Sequence, residues 1–213
     1  PLFFPPFRMN VYVGVAYVDY GEEQRINRER HGDRKYNNGF SPIYSVYEFF
    51  TKLYLRTQKY VHCELFFPCF DENFDTHVVA FGVFSNEGVF MKKREFTNPA
   101  YRYIFLHANH REYSTVFQWC SRQVGKKFDE YGMRWSPFWP TRCSGEEWYC
   151  LSFTVAALNL IGILKTFQPT SLDTDDLVEL LTVHPRKIEG ILQNKLSSVN
   201  PKNVSIVPYR QDV

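Results

Sequence analysis

The chain has almost no net charge, no apolar segment fit to span a bilayer, no regular cysteine spacing and no internal repeat. Its 25 Lys and Arg are set against 23 Asp and Glu, a formal net charge of +2. Nothing global therefore calls for nucleic acid or an acidic membrane as partner. The longest apolar stretch, 146–164, is interrupted by Ser152, Thr154 and Asn159, so no transmembrane segment is expected. The opening Pro1-Leu2-Phe3-Phe4-Pro5-Pro6-Phe7 has neither a charged n-region nor a small-residue cleavage site, which excludes a secretory signal there. The first residue is not Met, and a piece of a longer precursor is expected. The five cysteines are odd in number and irregular in spacing. That argues against a disulfide framework and for a reducing, cytoplasmic or other intracellular compartment. The absence of repeats and low-complexity stretches excludes solenoids and disordered tails.

What is present is aromatic and apolar. Hydrophobic residues make up 44% and aromatics 18%, with 20 Phe and 14 Tyr, enough for a sizeable core in a single domain over 1–213. Residues 1–8 form an apolar, proline-rich extended lead. Alternation predicts a strand over 9–20, and the charged, aperiodic stretch 21–39 reads as a loop. Ser41-Pro42 starts a helix over 42–55. Strands follow over 59–67, 76–84, 88–96 and 101–107, with a turn at 68–75 and a hairpin at Ser85-Asn86-Glu87-Gly88. A helix over 110–125, an irregular loop over 126–145 and the apolar helix 146–164 come next. Ser171-Leu172-Asp173-Thr174-Asp175-Asp176 opens a further helix to about Leu181, its acidic first turn matching the helix dipole. A C-terminal helix from Pro185 to Leu196 and a polar tail with a strand at 204–207 complete the chain.

The run 146–164 organises the rest. Alanines lie mid-run, no proline interrupts, and Gly162 stands near the end as a C-cap. Cys150 falls in its first turn. A helix N-terminus favours thiolate over thiol and offers N–H groups to an oxyanion. A free cysteine is equally a small core residue, which is the competing reading. On the strand 59–67, His62 and Glu64 are two apart and share a face, with Cys63 and Leu65 on the other. A histidine beside a carboxylate, both aimed at a cysteine on a helix N-terminus, makes an activated thiol nucleophile. A histidine paired with its neighbour for structure alone is the alternative.

His62-x-Glu64 before a hairpin, then Val124-Gly125-Lys126-Lys127-Phe128-Asp129, then Glu147-Trp148-Tyr149-Cys150-Leu151-Ser152 and Ile161-Gly162-Ile163-Leu164, together resemble the circularly permuted NlpC/P60 papain-like superfamily. The closest pattern is its viral and microbial subset with a histidine strand ahead of the cysteine helix. The resemblance covers 59–182, leaving 183–213 as C-terminal helix and tail, and departs from relatives in placing Leu151 between Cys150 and Ser152. It implies an α+β, permuted papain-like fold, with an antiparallel sheet packed against a central helix that carries the cysteine. It implies a cysteine peptidase-like hydrolase with Cys150 as nucleophile, His62 as general base and Glu64 or His77 as third residue. No cofactor or metal is called for. Substrates would be a peptide or isopeptide amide, or a lipid acyl ester in an acyltransferase or phospholipase of the same fold. A non-catalytic part of a viral particle or larger precursor is the reading from another class. Tyr131, Trp135, Phe138, Trp139, Trp148 and Tyr149 are candidates to wall a substrate groove, although an aromatic core would give the same residues.

Two further patterns are weaker. His62-Cys63-Glu64 followed by Pro68-Cys69 matches half of a zinc-deaminase signature, but position 72 is Glu and not the second knuckle cysteine. The basic pieces Lys92-Lys93-Arg94 and Arg28-Glu29-Arg30 are short, mixed with acids, and read as solvated faces.

Overall fold

Alternating apolar and polar side chains build five strands: β1 (Val11–Asp19), β2 (Tyr60–Phe70), β3 (Thr76–Phe84), β4 (Gly88–Arg94) and β5 (Tyr101–Ala108). They join in one antiparallel sheet of order β4-β3-β2-β1-β5. The computed structural model describes residues 11–19, 21, 59–70, 76–85, 87–94, 101–136 and 143–187. The expected lead at 1–8, loop over 22–39, helix over 42–55, Trp139, the chain beyond 187 and the strand at 204–207 lie outside these.

The sheet has two chemically distinct faces. Val13, Val15, Cys63, Leu65, Phe67, Val79, Phe81 and Val83 look one way into the main core. Ala16, Phe66, Val78 and Ala80 look the other way, with Tyr101 and Tyr103 against them. The first face is covered by helices. One is α1 (His110–Gln123), which starts at a capping box: Asn109 accepts from the Glu112 N–H at 2.9 Å, and Glu112 accepts from the Asn109 N–H at 2.9 Å. Phe67 is gripped edge-on by Phe81, Tyr113 and Phe117, with ring centroids 5.5, 5.3 and 5.2 Å away.

The loop expected over 126–145 is more ordered than its composition predicts. It holds β6 (Lys127–Phe128) and the short helix α2 (Glu130–Trp135), capped by Asp129 on the Gly132 N–H at 2.6 Å. β6 pairs in parallel with β7 (Glu147–Trp148). The central helix is α3 (Cys150–Asn159). It starts four residues later than the hydrophobic run does, because Glu147 and Trp148 are drawn into the parallel ladder. Its end follows the expected glycine cap. Gly162 has φ +82°, its N–H donates to the Asn159 carbonyl at 3.1 Å, and Ile163 N–H donates to Leu158 at 3.1 Å, which is a Schellman closure. Every side chain of α3 from Leu151 to Val155 is buried.

α4 (Thr174–Thr182) begins at the predicted acidic turn, with Asp173 capping the Asp176 N–H at 2.8 Å. The turn expected at 68–75 is shorter than predicted, since β2 continues to Phe70. Pro68 is tolerated there because the ladder of β2 with β1 ends at Phe66, leaving the proline nitrogen on a free edge. The α+β class and the central helix packed on an antiparallel sheet are as expected. Among the described residues, no helix is long and apolar enough to cross a membrane.

Candidate active site

Cys150 is the first residue of α3, half-buried, with Tyr149 as N-cap in extended conformation. Tyr149 supplies no side-chain cap. The local closure comes from Ser152, whose hydroxyl accepts from the Tyr149 N–H at 3.1 Å and donates to the Tyr149 carbonyl at 3.0 Å. Ser152 thus closes the first turn through the backbone of Tyr149. β7 sets the entry angle, because Asp129 N–H holds the Trp148 carbonyl at 2.8 Å and the Trp148 indole donates to Gln123 at 3.2 Å.

The opposing wall is the start of β2. Its ladder with β3 stops at the Leu65–Phe81 pair, so from Tyr60 to Glu64 the edge that would face β3 is open. Asp175 of α4 fixes this end, accepting from the Lys59 N–H at 3.0 Å and the Tyr60 N–H at 2.8 Å. Into the opening project His62 and Cys63. The His62 imidazole stacks on Phe84, centroids 4.6 Å apart and planes 12° apart, and Phe84 stacks in turn on Phe90 at 5.2 Å. Its Nε2 lies 3.1 Å from Glu64 Oε1, which leaves Nδ1 as the ring nitrogen available to the Cys150 thiol, with which the ring is hydrogen-bonded.

Glu64 is fully buried yet does not aim at Cys150, as same-face alternation predicted. It lies on the sheet face away from α3, where Tyr101 Oη donates to its Oε1 at 3.1 Å and Arg94 stands 3.5 Å off. The imidazole reaches round the open strand edge and links the two faces. Oε1 takes all three donors, whereas Oε2 is buried with no hydrogen-bond partner. His77 is not a third residue here. Its β3 position pairs with Cys69, at the far end of the ladder, about 23 Å along the strand from His62 at roughly 3.3 Å per residue.

Cys63, assigned by alternation to the other face, is the residue sequence reasoning missed. That face is the one α3 covers. The Cys63 thiol and backbone N–H both act on the Cys150 sulfur electrostatically, and the Cys63 Sγ sits 3.5 Å from Thr154 Oγ1, one helical turn beyond Cys150.

These contacts polarise the pair. The Cys63 thiol pulls the Cys150 thiol well below its ordinary value. Burial opposes this, and the His62 hydrogen bond and charge reinforce it. Burial alone would lower His62, but the bonds to Cys150 and Glu64 outweigh it and raise the imidazole to about 10. Cys63 moves the other way, held protonated first by its bond to Cys150 and then by burial. These shifts favour a thiolate–imidazolium pair with a neutral thiol beside the thiolate. Such a pair can attack an electrophilic carbon and then deliver a proton.

Of the groove candidates, Trp148 and Tyr149 are 4% and 3% exposed and belong to the main core. Trp148 packs edge-on against Trp119 and Phe153. Tyr131 is exposed on α2, 6.2 Å between centroids from Trp135. Among the described residues, no group of three or more His, Cys, Asp and Glu is disposed to hold a metal ion. Comparison with protein-family models, curated proteins and solved structures gave no match.

Proposed function

We propose that the protein is a papain-like thiol hydrolase or acyltransferase working through Cys150, His62 and Glu64. The observation that carries this reading is a cysteine on a helix N-terminus hydrogen-bonded to an imidazole whose Nε2 is 3.1 Å from a buried carboxylate. A cysteine distant in sequence meets a histidine and a carboxylate two residues apart at one open strand edge.

The Cys150 thiolate adds to the substrate carbonyl carbon. The charge on the carbonyl oxygen is met by N–H groups in the first turn of α3 and by the positive end of its dipole. His62, already protonated, gives its proton to the departing amine or alcohol as the carbon–heteroatom bond breaks, leaving a thioester on Cys150. Neutral His62 then takes a proton from water, or from an acceptor alcohol, as that oxygen attacks the thioester. Cys150 departs as thiolate, and the imidazole is left protonated as at the start. Glu64 fixes the ring orientation and favours the imidazolium. The arrangement matches the permuted papain-like resemblance, in which the histidine strand precedes the cysteine helix.

Amide and ester substrates are separated by one experiment. The chain is incubated with a panel of activated acyl esters and aryl amides, acidified, and its intact mass and peptides are read. The reading predicts a single acyl adduct on Cys150, cleaved by hydroxylamine and absent from Cys150→Ala. No adduct across both panels, or an adduct that persists elsewhere in Cys150→Ala, overturns it.

A further inference from the structure

Cys63 makes and breaks no bond in acyl transfer, where its thiol serves only to hold the Cys150 titration down. It is nonetheless placed with its thiol against the one sulfur that the site activates. Three observations define the pair. Cys63 is fully buried and Cys150 half-buried, so a small oxidant meets Cys150 first. The two thiols lie close enough for each to shift the other's titration, Cys150 down and Cys63 up. Thr154, on the same face of α3 as Cys150, holds Cys63 Sγ at 3.5 Å, which keeps that sulfur beneath the first turn. The other described cysteines stand elsewhere: Cys69 at the far end of β2, Cys120 on α1 and Cys143 ahead of β7.

We infer that Cys150 and Cys63 form a hydroperoxide-oxidisable dithiol, with Cys150 the attacking sulfur and Cys63 the resolving one. The inference rests on the reading of Cys150 as an ionised nucleophile. In the first step the Cys150 thiolate attacks the terminal oxygen of the hydroperoxide and the O–O bond breaks. The alkoxide or hydroxide leaves with the proton from imidazolium His62, and Cys150 becomes a sulfenic acid. In the second step the Cys63 sulfur attacks the Cys150 sulfur, the S–O bond breaks, and the hydroxide departs as water with the Cys63 proton. Overall, two thiols and one hydroperoxide give one disulfide, one alcohol or water, and one water.

The order of events suits the electrostatics. While Cys150 is a thiolate, its charge keeps Cys63 protonated. Once Cys150 is a neutral sulfenic acid, that charge is gone, while the Thr154 contact that favours the Cys63 thiolate remains. The resolving thiol is thus freed by oxidation of its neighbour. The disulfide would hold the nucleophile in a form that cannot attack a carbonyl and would protect it from sulfinic acid, until a thiol reductant restores it.

The test uses the full chain and hydrogen peroxide. Folded protein at neutral pH is treated with a small molar excess of peroxide, blocked with iodoacetamide, digested without reductant and mapped by mass. Near-complete loss of Cys150 alkylation is expected, with the Cys63 and Cys150 peptides joined and two hydrogens lighter, and both effects undone by dithiothreitol. In Cys63→Ser the cross-link disappears and Cys150 is captured as a sulfenic acid by a 1,3-dione. Oxidation of Cys150 at equal rate to sulfinic acid in both proteins, or a cross-link to Cys69, Cys120 or Cys143 instead, overturns the inference. Untreated protein separates the two claims. If Cys150 does not alkylate in the folded chain, the nucleophile reading falls and this one with it. If it alkylates but never cross-links to Cys63, only the dithiol falls.

Discussion

Ionisation of the Cys150–His62 pair leaves a signature in stability that needs no substrate. In the unfolded chain His62 titrates at 6.5 and Cys150 at 9.0, whereas in the fold His62 rises to about 10 and Cys150 drops well below its ordinary value. His62, with its folded value raised, contributes stability that is fully present below pH 6.5 and is lost as pH climbs through about 10. Cys150, with its folded value depressed, contributes stability present above pH 9.0 that is lost as pH falls through the folded value. Above both 6.5 and the folded Cys150 value, and below 9.0, the folded pair and the unfolded pair each hold about one proton, so this pair leaves stability flat there. Between 9.0 and about 10 the folded imidazolium keeps a proton that the unfolded chain has lost. Summed over both titrations, which spread about one pH unit beyond either end, the fold loses about 1.4 kcal/mol, roughly half of it between 9.0 and 10, a measurable part of a typical 5–15 kcal/mol. Cys150→Ser removes both the thiolate and its support for imidazolium; it also takes away the Cys150 share of the upward shift of Cys63, whose burial continues to hold that thiol above its ordinary value in both proteins. Urea denaturation under reducing conditions, from pH 6 to 10.5, gives the two curves. The wild type is expected to fall by about 0.7 kcal/mol relative to the variant between pH 9 and 10. Parallel curves across that interval would refute the ion pair.

Three substitutions probe how the site is held. Gly82→Ala places a methyl 2.9 Å from Glu64 Cγ and 2.7 Å from the Phe90 ring, so overpacking of about 1–3 kcal/mol is expected in urea melts. Slower neutral-pH alkylation of Cys150 should accompany it as Glu64 is displaced, and an unchanged rate would show that Glu64 does not act through His62. Tyr101→Phe deletes the hydroxyl 3.1 Å from Glu64 Oε1. A loss of about 1.5–3 kcal/mol is expected for a bond to a charged acceptor, and a melt within error of wild type would contradict it. Asp175→Ala strips the carboxylate from the Lys59 and Tyr60 amides. Faster hydrogen exchange at Tyr60 and slower Cys150 alkylation are expected, with β5 amides unchanged; exchange rising everywhere would mean global unfolding instead.

Much of the frame was legible because it repeats. Strand β3 falls on its predicted bounds, since alternation from Thr76 to Phe84 runs unbroken into a tight hairpin. The cap at Gly162 follows from the one conformation that glycine alone adopts cheaply. The two-residue strands β6 and β7 are too short to carry a period, and without them the helix start could not be separated from Glu147 and Trp148. Asp175 was read only as a helix-dipole acid, because its partners stand 115 and 116 positions away. Cys150 and His62 were legible from residue type and local context. Side-chain alternation then misled at one point: it assigned Cys63 to the wrong side of the chemistry. It assumes a strand flanked on both edges, and β2 loses β3 at Leu65. Where the ladder ends, an imidazole can turn round the edge, and the face that carries Cys63 becomes the face under the helix.

The account stands on an ionised Cys150 supported by His62. Its most direct test is the pH dependence of iodoacetamide labelling, with mass mapping of each cysteine, in wild type and His62→Ala. The account predicts that Cys150 labels first, with an apparent pKa well below the free-cysteine value of about 8.5, and that this value moves upward in His62→Ala. A Cys150 that labels only after unfolding, or whose titration is the same in both proteins, would contradict it.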